Sequence, residues 1–396
     1  MRAAVAIAVV LAAACAGLAR ASVALAPWEL RATRTTAVPA DVLRDAAAVT
    51  IGIVDTGADV TTPELAARNP ATWNTRTGTT DVRDANGHGT FVASLAAESS
   101  GDAQLLIVKS GGNGGSFTDI DEAAGIVYAV DHGARILNLS IGGPKTSSTE
   151  RGAIRYAVDH GALVVTAAGN EYGLGNPVEY PAALLQPVGS NGVGGSGLVV
   201  TASDAGGRRA AYANTGSWVS LAAPGDHVLG AVSQLSSALA YPRVDGVHGY
   251  ASGTSFAAPQ VAGAAALVWA ANPSLTAAQV AQILKETASG GGRWTPQLGY
   301  GVVDVAAAVQ RAQQGRVGVL LGGLRLKDRA RLTWSGDAPA YTLTVSTDGR
   351  AARTLLASTT ATSTSVPLAP GHTYSFTVTA LDAGGAPTAS STVVLR

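Results

Sequence analysis

The stretch Gln260-Val-Ala-Gly-Ala-Ala-Ala-Leu-Val-Trp269 constrains this chain more than any other. It carries no charge and presents no polar face, so it reads as a helix buried on every side, which needs a core of surrounding elements to hold it. Directly before it stands Ser252-Gly-Thr-Ser-Phe-Ala-Ala-Pro259, which puts Ser255 at the helix start. There, unpaired backbone N–H groups and the positive end of the helix dipole stabilise developing negative charge. Taken alone, a Ser or Thr before an apolar run is an ordinary N-cap.

Three upstream motifs change that reading. Thr50-Ile-Gly-Ile-Val-Asp-Thr-Gly57 is an apolar run broken by an acid and a glycine, the pattern of a buried parallel strand ending at Asp55. Catalytic groups of open α/β sheets collect at that carboxyl edge. In Asn86-Gly-His-Gly-Thr90, His88 lies between glycines and ahead of a helically spaced apolar run. Leu163-Val-Val-Thr-Ala-Ala-Gly-Asn-Glu171 is a further buried strand, closed by Gly169 and Asn170. Each has a plain structural explanation by itself: a turn former, a surface histidine, a Gly-Asn turn. Together they supply an acid, a base and a nucleophile in the order Asp, His, Ser.

With these flanks, residues 47–312 resemble the subtilisin-like serine peptidases, and the Gly-Thr-Ser-x-Ala-x-Pro run is the most specific part of the match. The resemblance implies that Ser255 is the nucleophile, His88 its general base and Asp55 the group that orients the imidazole. It further implies an oxyanion hole made by the Asn170 amide and the Ser255 N–H, with the Thr254 hydroxyl in support. By the same carry-over Ser140, Ile141 and Gly142 pair with an extended substrate on one side and Gly115 and Ser116 on the other, while Ala168 and Gly169 line the specificity pocket. Such a clamp uses main-chain hydrogen bonds and suits unfolded polypeptides. Glu179 replaces the small residue at the base of that pocket, and two orientations stand open: inward, favouring Lys or Arg in the substrate, or outward, leaving an apolar pocket beside Ile141 and Ala167. The Tyr180-Pro181 bond that follows is cis in the family.

Between the motifs, apolar strands near 49–54, 104–109, 135–140, 163–168 and 198–202 alternate with helices near 89–98, 119–131, 149–160, 255–271 and 276–287. The fold class is therefore α/β, a parallel sheet with helices on both faces. Two departures from the family stand out. The link Glu98–Ala103 has no room for a calcium loop, and a glycine-rich insertion occupies Gly189–Gly197. Glu64 matches a calcium-ligand position but also suits the first turn of a helix, so calcium stays open and no cofactor is otherwise required.

The rest of the chain frames this unit. Residues 1–21, with Arg2, an apolar middle and Ala19-Arg-Ala21, have the form of a secretory signal peptide, and Ala12-Ala-Ala-Cys15 offers an alternative lipoprotein site at the only cysteine. An exported protein is expected. Residues 22–46 form a short polar extension, too small to fold alone as an inhibitory prodomain and expected to be dispensable. The catalytic unit is expected over 47–315. Residues 324–396 alternate with period two and predict an all-β, immunoglobulin-like sandwich; Trp334 and Tyr374 behind Leu368-Ala-Pro-Gly371 resemble a fibronectin type III domain.

Composition agrees with a large enzyme and gives no argument for nucleic-acid binding. The 396 residues carry a formal net charge of zero and only 14% charged residues, with no basic patch. No apolar run beyond the first twenty residues is long enough to span a bilayer without interruption, and a monomer is expected. A peptide ligase or cyclase would use the same acyl-enzyme, with capture by an amine as the discriminating observation. A non-catalytic adhesion protein on a decayed peptidase fold would have lost a triad or oxyanion residue, and all are present.

Overall fold

The computed structural model describes residues 27–236, 241–315 and 317–396. The signal-like segment 1–21 and Cys15 lie outside the described residues. Seven strands form one parallel sheet: β1 (Thr50–Asp55), β2 (Ala71–Asn74), β3 (Gln104–Lys109), β4 (Ile136–Leu139), β5 (Leu163–Ala167), β6 (Gly197–Ser203) and β7 (Leu221–Pro224), in the order β2-β3-β1-β4-β5-β6-β7. The sheet is covered on both faces, as the continuous apolar runs require. Alternation along each strand sorts the side chains. Ile51, Ile53, Leu105 and Ile107 face one core with the helices His88–Ser99 and Thr254–Ala271, whereas Val54, Leu106 and Val108 face the other with Asp119–Asp131 and Ser148–Asp159.

The helix Thr254–Ala271 is buried from Thr254 to Trp269 except at Ser255, so the apolar run is surrounded as expected. Its start lies at the carboxyl edge of the sheet, beside the ends of β4 and β5, because Thr254 and Ser255 bond to residues 140 and 169–170. The expected strands and helices occur within a residue or two of their predicted bounds. Strands β2 and β7 and the helix Val305–Gln313 were not predicted. The strands are short, and the helix buries one face through Val305, Ala308, Val309 and Ala312, of which only the two valines stand out in an alanine-rich run.

Residues 27–46 are more than the loose polar extension that the sequence suggested. Short helices at Trp28–Ala32 and Ala40–Asp45 pack onto the catalytic unit, and Val38, Val42 and Ala46 belong to its main core. Glu29 is buried and accepts from the Leu229 N–H; Trp28 Nε1 donates to His227 O at 3.1 Å, Val305 N to Thr33 O at 2.8 Å, and Arg34 pairs with Asp304 at 2.7 Å. A segment too small to build its own core has joined a larger one.

The C-terminal strands make two antiparallel sheets, β10-β11-β14 and β13-β12-β15-β16, with β10 (Leu320–Arg325), β11 (Arg329–Ser335), β12 (Ala340–Thr347), β13 (Arg353–Thr359), β14 (Ser363–Pro367), β15 (Tyr374–Leu381) and β16 (Pro387–Leu395); the hairpin β8 (Val228–Ala231) and β9 (His248–Ala251) belongs to the catalytic unit. Trp334, Tyr341, Leu343 and Phe376 fill the sandwich core. The Tyr374 hydroxyl accepts from the Ala369 N–H at 2.9 Å, a tyrosine corner.

The glycine-rich insertion seats this sandwich. Val193 packs with Leu320, Tyr300 and Ala288, and Asn191 donates to Gly323 O at 2.9 Å. From the opposite side Lys285, nearly fully buried, donates to Gly192 O at 3.0 Å, and burial holds its ammonium down to a pKa of about 8. Glycine at 192 is needed, since a Cβ there would press on the Trp294 ring at 2.9 Å with φ at +70°.

Candidate active site

Strand β1 ends at Asp55, whose side chain is fully buried. One of its oxygens accepts from the Thr56 N–H at 2.7 Å and meets His88 Nδ1 at 2.8 Å. A carboxylate only accepts, so Nδ1 carries the proton and Nε2 is left basic. Burial alone would lower the His88 pKa, but the charge and hydrogen bond of Asp55, with Asp84 beyond, outweigh it and the net shift is upward. The histidine is placed by its neighbours: Gly87 at φ +99° turns the chain into the helix, and a Cβ at Gly89 would strike the Gly57 carbonyl.

Ser255 stands in the first turn of the helix Thr254–Ala271. Its hydroxyl donates to Ser140 O at 3.3 Å, a long contact that a substrate can replace. Ser140 in turn donates to Ser255 O at 2.7 Å and accepts from Asn138 Nδ2 at 3.0 Å, tying the end of β4 to the helix start. Asn170 is exposed at the end of the β5 motif. Its side-chain oxygen accepts from Thr254 N at 2.9 Å and from Thr254 Oγ1 at 3.1 Å. Both contacts occupy the carbonyl of the amide, so the NH₂ group is the end left to meet an anion. Thr254 therefore orients Asn170.

A cleft of about 570 Å³ joins these groups, lined by His88, Ser255, Asn170, Gly115, Ser116, Ser140, Ile141, Gly142, Gly169 and Glu179 among others. Ala168 is the exception among the expected residues. It points into the second core, fully buried, while its neighbour Ala167 lines the cleft, as strand alternation requires. Glu179 turns inward, 9% exposed, beside Glu171; burial first, then the hydrogen bond and charge of Glu171, push its pKa up to about 8. Its place is held by paired backbone bonds between Tyr180 and Gly143, at 2.9 and 3.0 Å, and the Tyr180-Pro181 bond is cis. Glu64 is taken up by His248 Nε2 at 2.5 Å, with Asp245 on the other ring nitrogen. Among the described residues no group of three or more His, Cys, Asp or Glu is arranged to hold a metal ion.

Sequence reasoning missed Asp84. This fully buried carboxylate accepts five hydrogen bonds: from Thr56 Oγ1, the N–H groups of Asn86 and Gly87, and both the N–H and hydroxyl of Thr90. Thr56 Oγ1 accepts from Gly89 N at 2.9 Å, so Asp84 braces the loop before His88 and the first turn after it. An acid four residues before the histidine was the available signal, and it reads equally as loop polarity.

The family model of the subtilases matches residues 46–301, well over half of the chain. The chain belongs to the subtilase family. It is similar to a thermophilic serine proteinase of Bacillus sp. (strain AK1), 32% identical over 258 residues that cover 63% of this chain and 58% of that protein. Subtilisin Savinase of Lederbergia lenta is 32% identical over 271 residues, 66% of this chain and 91% of the relative. This subtilase thus spans less than two thirds of the first relative's length. Among solved structures it resembles a cold adapted subtilisin-like serine proteinase, with a TM-score of 0.55 and 25% identity over 66% of this chain and 90% of that one. Fervidolysin of Fervidobacterium pennivorans, a keratinolytic enzyme related to subtilisin, matches 93% of this chain and 60% of its own, with a TM-score of 0.61 and 24% identity, a likeness of fold. Among the described residues of this subtilase no helix is long and apolar enough to cross a membrane.

Proposed function

We propose that this subtilase is an exported serine endopeptidase that cleaves polypeptides through an acyl-enzyme on Ser255. The observation that carries the reading is the 2.8 Å contact of His88 Nδ1 with Asp55, in one cleft with Ser255 at a helix start and Asn170. As Ser255 attacks the scissile carbonyl, His88 Nε2 takes its proton and later returns it to the leaving amine. Asp55 holds the tautomer and stabilises the imidazolium. The oxyanion meets the Asn170 amide and the Ser255 N–H, donors already in place before charge develops. The chemistry asks for no cofactor. Residues 1–21 direct export in this reading, 47–315 form the catalytic unit with residues 27–46 packed onto it, and 324–396 form a fibronectin type III-like domain, supported by the tyrosine corner at Tyr374.

The test is fluorophosphonate labelling of the purified protein with peptide mapping, alongside digestion of a denatured protein mixture. Label on Ser255 and peptide products are expected; an unlabelled protein that leaves the mixture intact refutes the proposal. Two further results follow from the geometry. Asn170→Ala is expected to lower kcat about 10²–10³-fold with little change in KM, the loss associated with an oxyanion donor of subtilisin. The kcat/KM profile should rise on its acid limb with a midpoint above the ordinary histidine value of about 6.5, because the raised pKa keeps the imidazole protonated, and useless as a base, to higher pH. A limb at or below that value would show that Asp55 and Asp84 do not prevail over burial.

A further inference from the structure

The charge lining the cleft is one-sided. Five carboxyl side chains reach it, those of Asp119, Glu122, Glu150, Glu171 and Glu179, against the single ammonium of exposed Lys145. They fall into two groups. Glu179 and Glu171 occupy the slot between the walls 140–142 and 167–169, since a Cβ on Gly142 would run into Glu179 Oε2 and one on Gly169 would stand 2.8 Å from Glu179 Cδ and 2.9 Å from Glu171 Oε2. This slot lies in the same cleft as Ser255, and the resemblance to the family implies that it takes the side chain just before the scissile bond.

The second group lies farther along the clamp. The edge at Gly115–Ser116 runs on through Thr118 into the helix Asp119–Asp131, and the edge at 140–142 runs on through Ser147 into Ser148–Asp159. Asp119, Glu122 and Glu150 sit in the first turns of these two helices. Glu122 is 8% exposed, Glu150 5%, and Glu122 Oε1 has no hydrogen-bond partner. The segment 140–142 is both a wall of the slot and the edge that pairs with the peptide, so this second group meets residues on the acyl side.

Resting on the peptidase reading, we propose that the cleft selects polypeptides with two basic side chains on the acyl side: one directly before the scissile bond, at Glu171 and Glu179, and one upstream, at Asp119, Glu122 and Glu150. Buried carboxyls without a cation are costly, and a substrate ammonium or guanidinium supplies what the protein withholds. Burial, reinforced by the neighbouring acids, pushes Glu122 as well as Glu179 up to a pKa of about 8, and an arriving positive charge favours their ionised forms.

The test compares kcat/KM for four matched peptides: Lys at both places, at either alone, or Phe before the bond with Ala upstream. In the wild type each Lys is expected to raise kcat/KM roughly tenfold or more, the scale of one partly buried charge pair. Glu179→Gln should erase the advantage of the Lys before the bond and leave the upstream advantage; Glu122→Gln should do the reverse. A wild-type preference for Phe that Glu179→Gln leaves unchanged overturns the first half, and indifference to upstream Lys overturns the second. Binding of the same peptides to Ser255→Ala, by fluorescence anisotropy, reads both acidic sites without turnover. Should no peptide be cleaved and no fluorophosphonate label appear, the peptidase reading has failed, and the order of affinities still decides the specificity.

Discussion

Ser255→Ala is expected to lower kcat on an unfolded protein substrate by about 10⁶-fold, the scale known for removal of the nucleophile from subtilisin, while Tm stays where it was. The wild-type hydroxyl has only the long 3.3 Å contact with Ser140 O, so its loss removes little stability. The bonds that build the site, from Ser140 Oγ to Ser255 O and from the Thr254 N–H to Asn170 Oδ1, do not involve the Ser255 side chain and persist in the variant. Turnover should fall only to the level that the oxyanion hole and binding sustain by themselves, about 10³–10⁴ above water. Steady-state kinetics with a thermal melt on one sample read both quantities. Wild-type turnover in the variant would falsify the triad.

A chain beginning at residue 46 is expected to be less stable than one beginning at residue 27 by about 3–6 kcal/mol, from the burial of Val38 and Val42 at roughly 1.5–3 kcal/mol each. The lost hydrogen bonds to His227, Leu229 and Val305 add to this. Against a typical total of about 5–15 kcal/mol, that is a large share of the stability. Urea midpoints of the two chains check it, and equal midpoints would show that the packed segment is an ornament.

The four motifs were legible because each sits where local rules act alone: a strand that must end, a helix that must begin, a glycine that must turn. The sheet followed from uninterrupted apolar runs such as Thr50–Val54, and the paired cores from simple alternation within them. What stayed hidden depends on partners distant in the chain. Glu179 could face either way until the bond between Tyr180 and Gly143 was known. Asp84 looks like loop polarity until Thr56, 28 residues earlier, is brought against it. Residues 28–46 look dispensable because the core they complete belongs to strands and helices elsewhere. The pair Ala167 and Ala168 is a subtler case: identical residues carry no label for the face they take, so only the phase of β5 separates the cleft from the core.

The insertion Gly189–Gly197 leads into the amino end of β6, whereas Asp55, Ser140 and Asn170 stand at the carboxyl ends of β1, β4 and β5. The sandwich, seated on that insertion, is therefore attached at the edge of the sheet opposite the cleft. The mouth of the cleft at Ser255 thus stays clear of the sandwich, whose residues take no part in its lining.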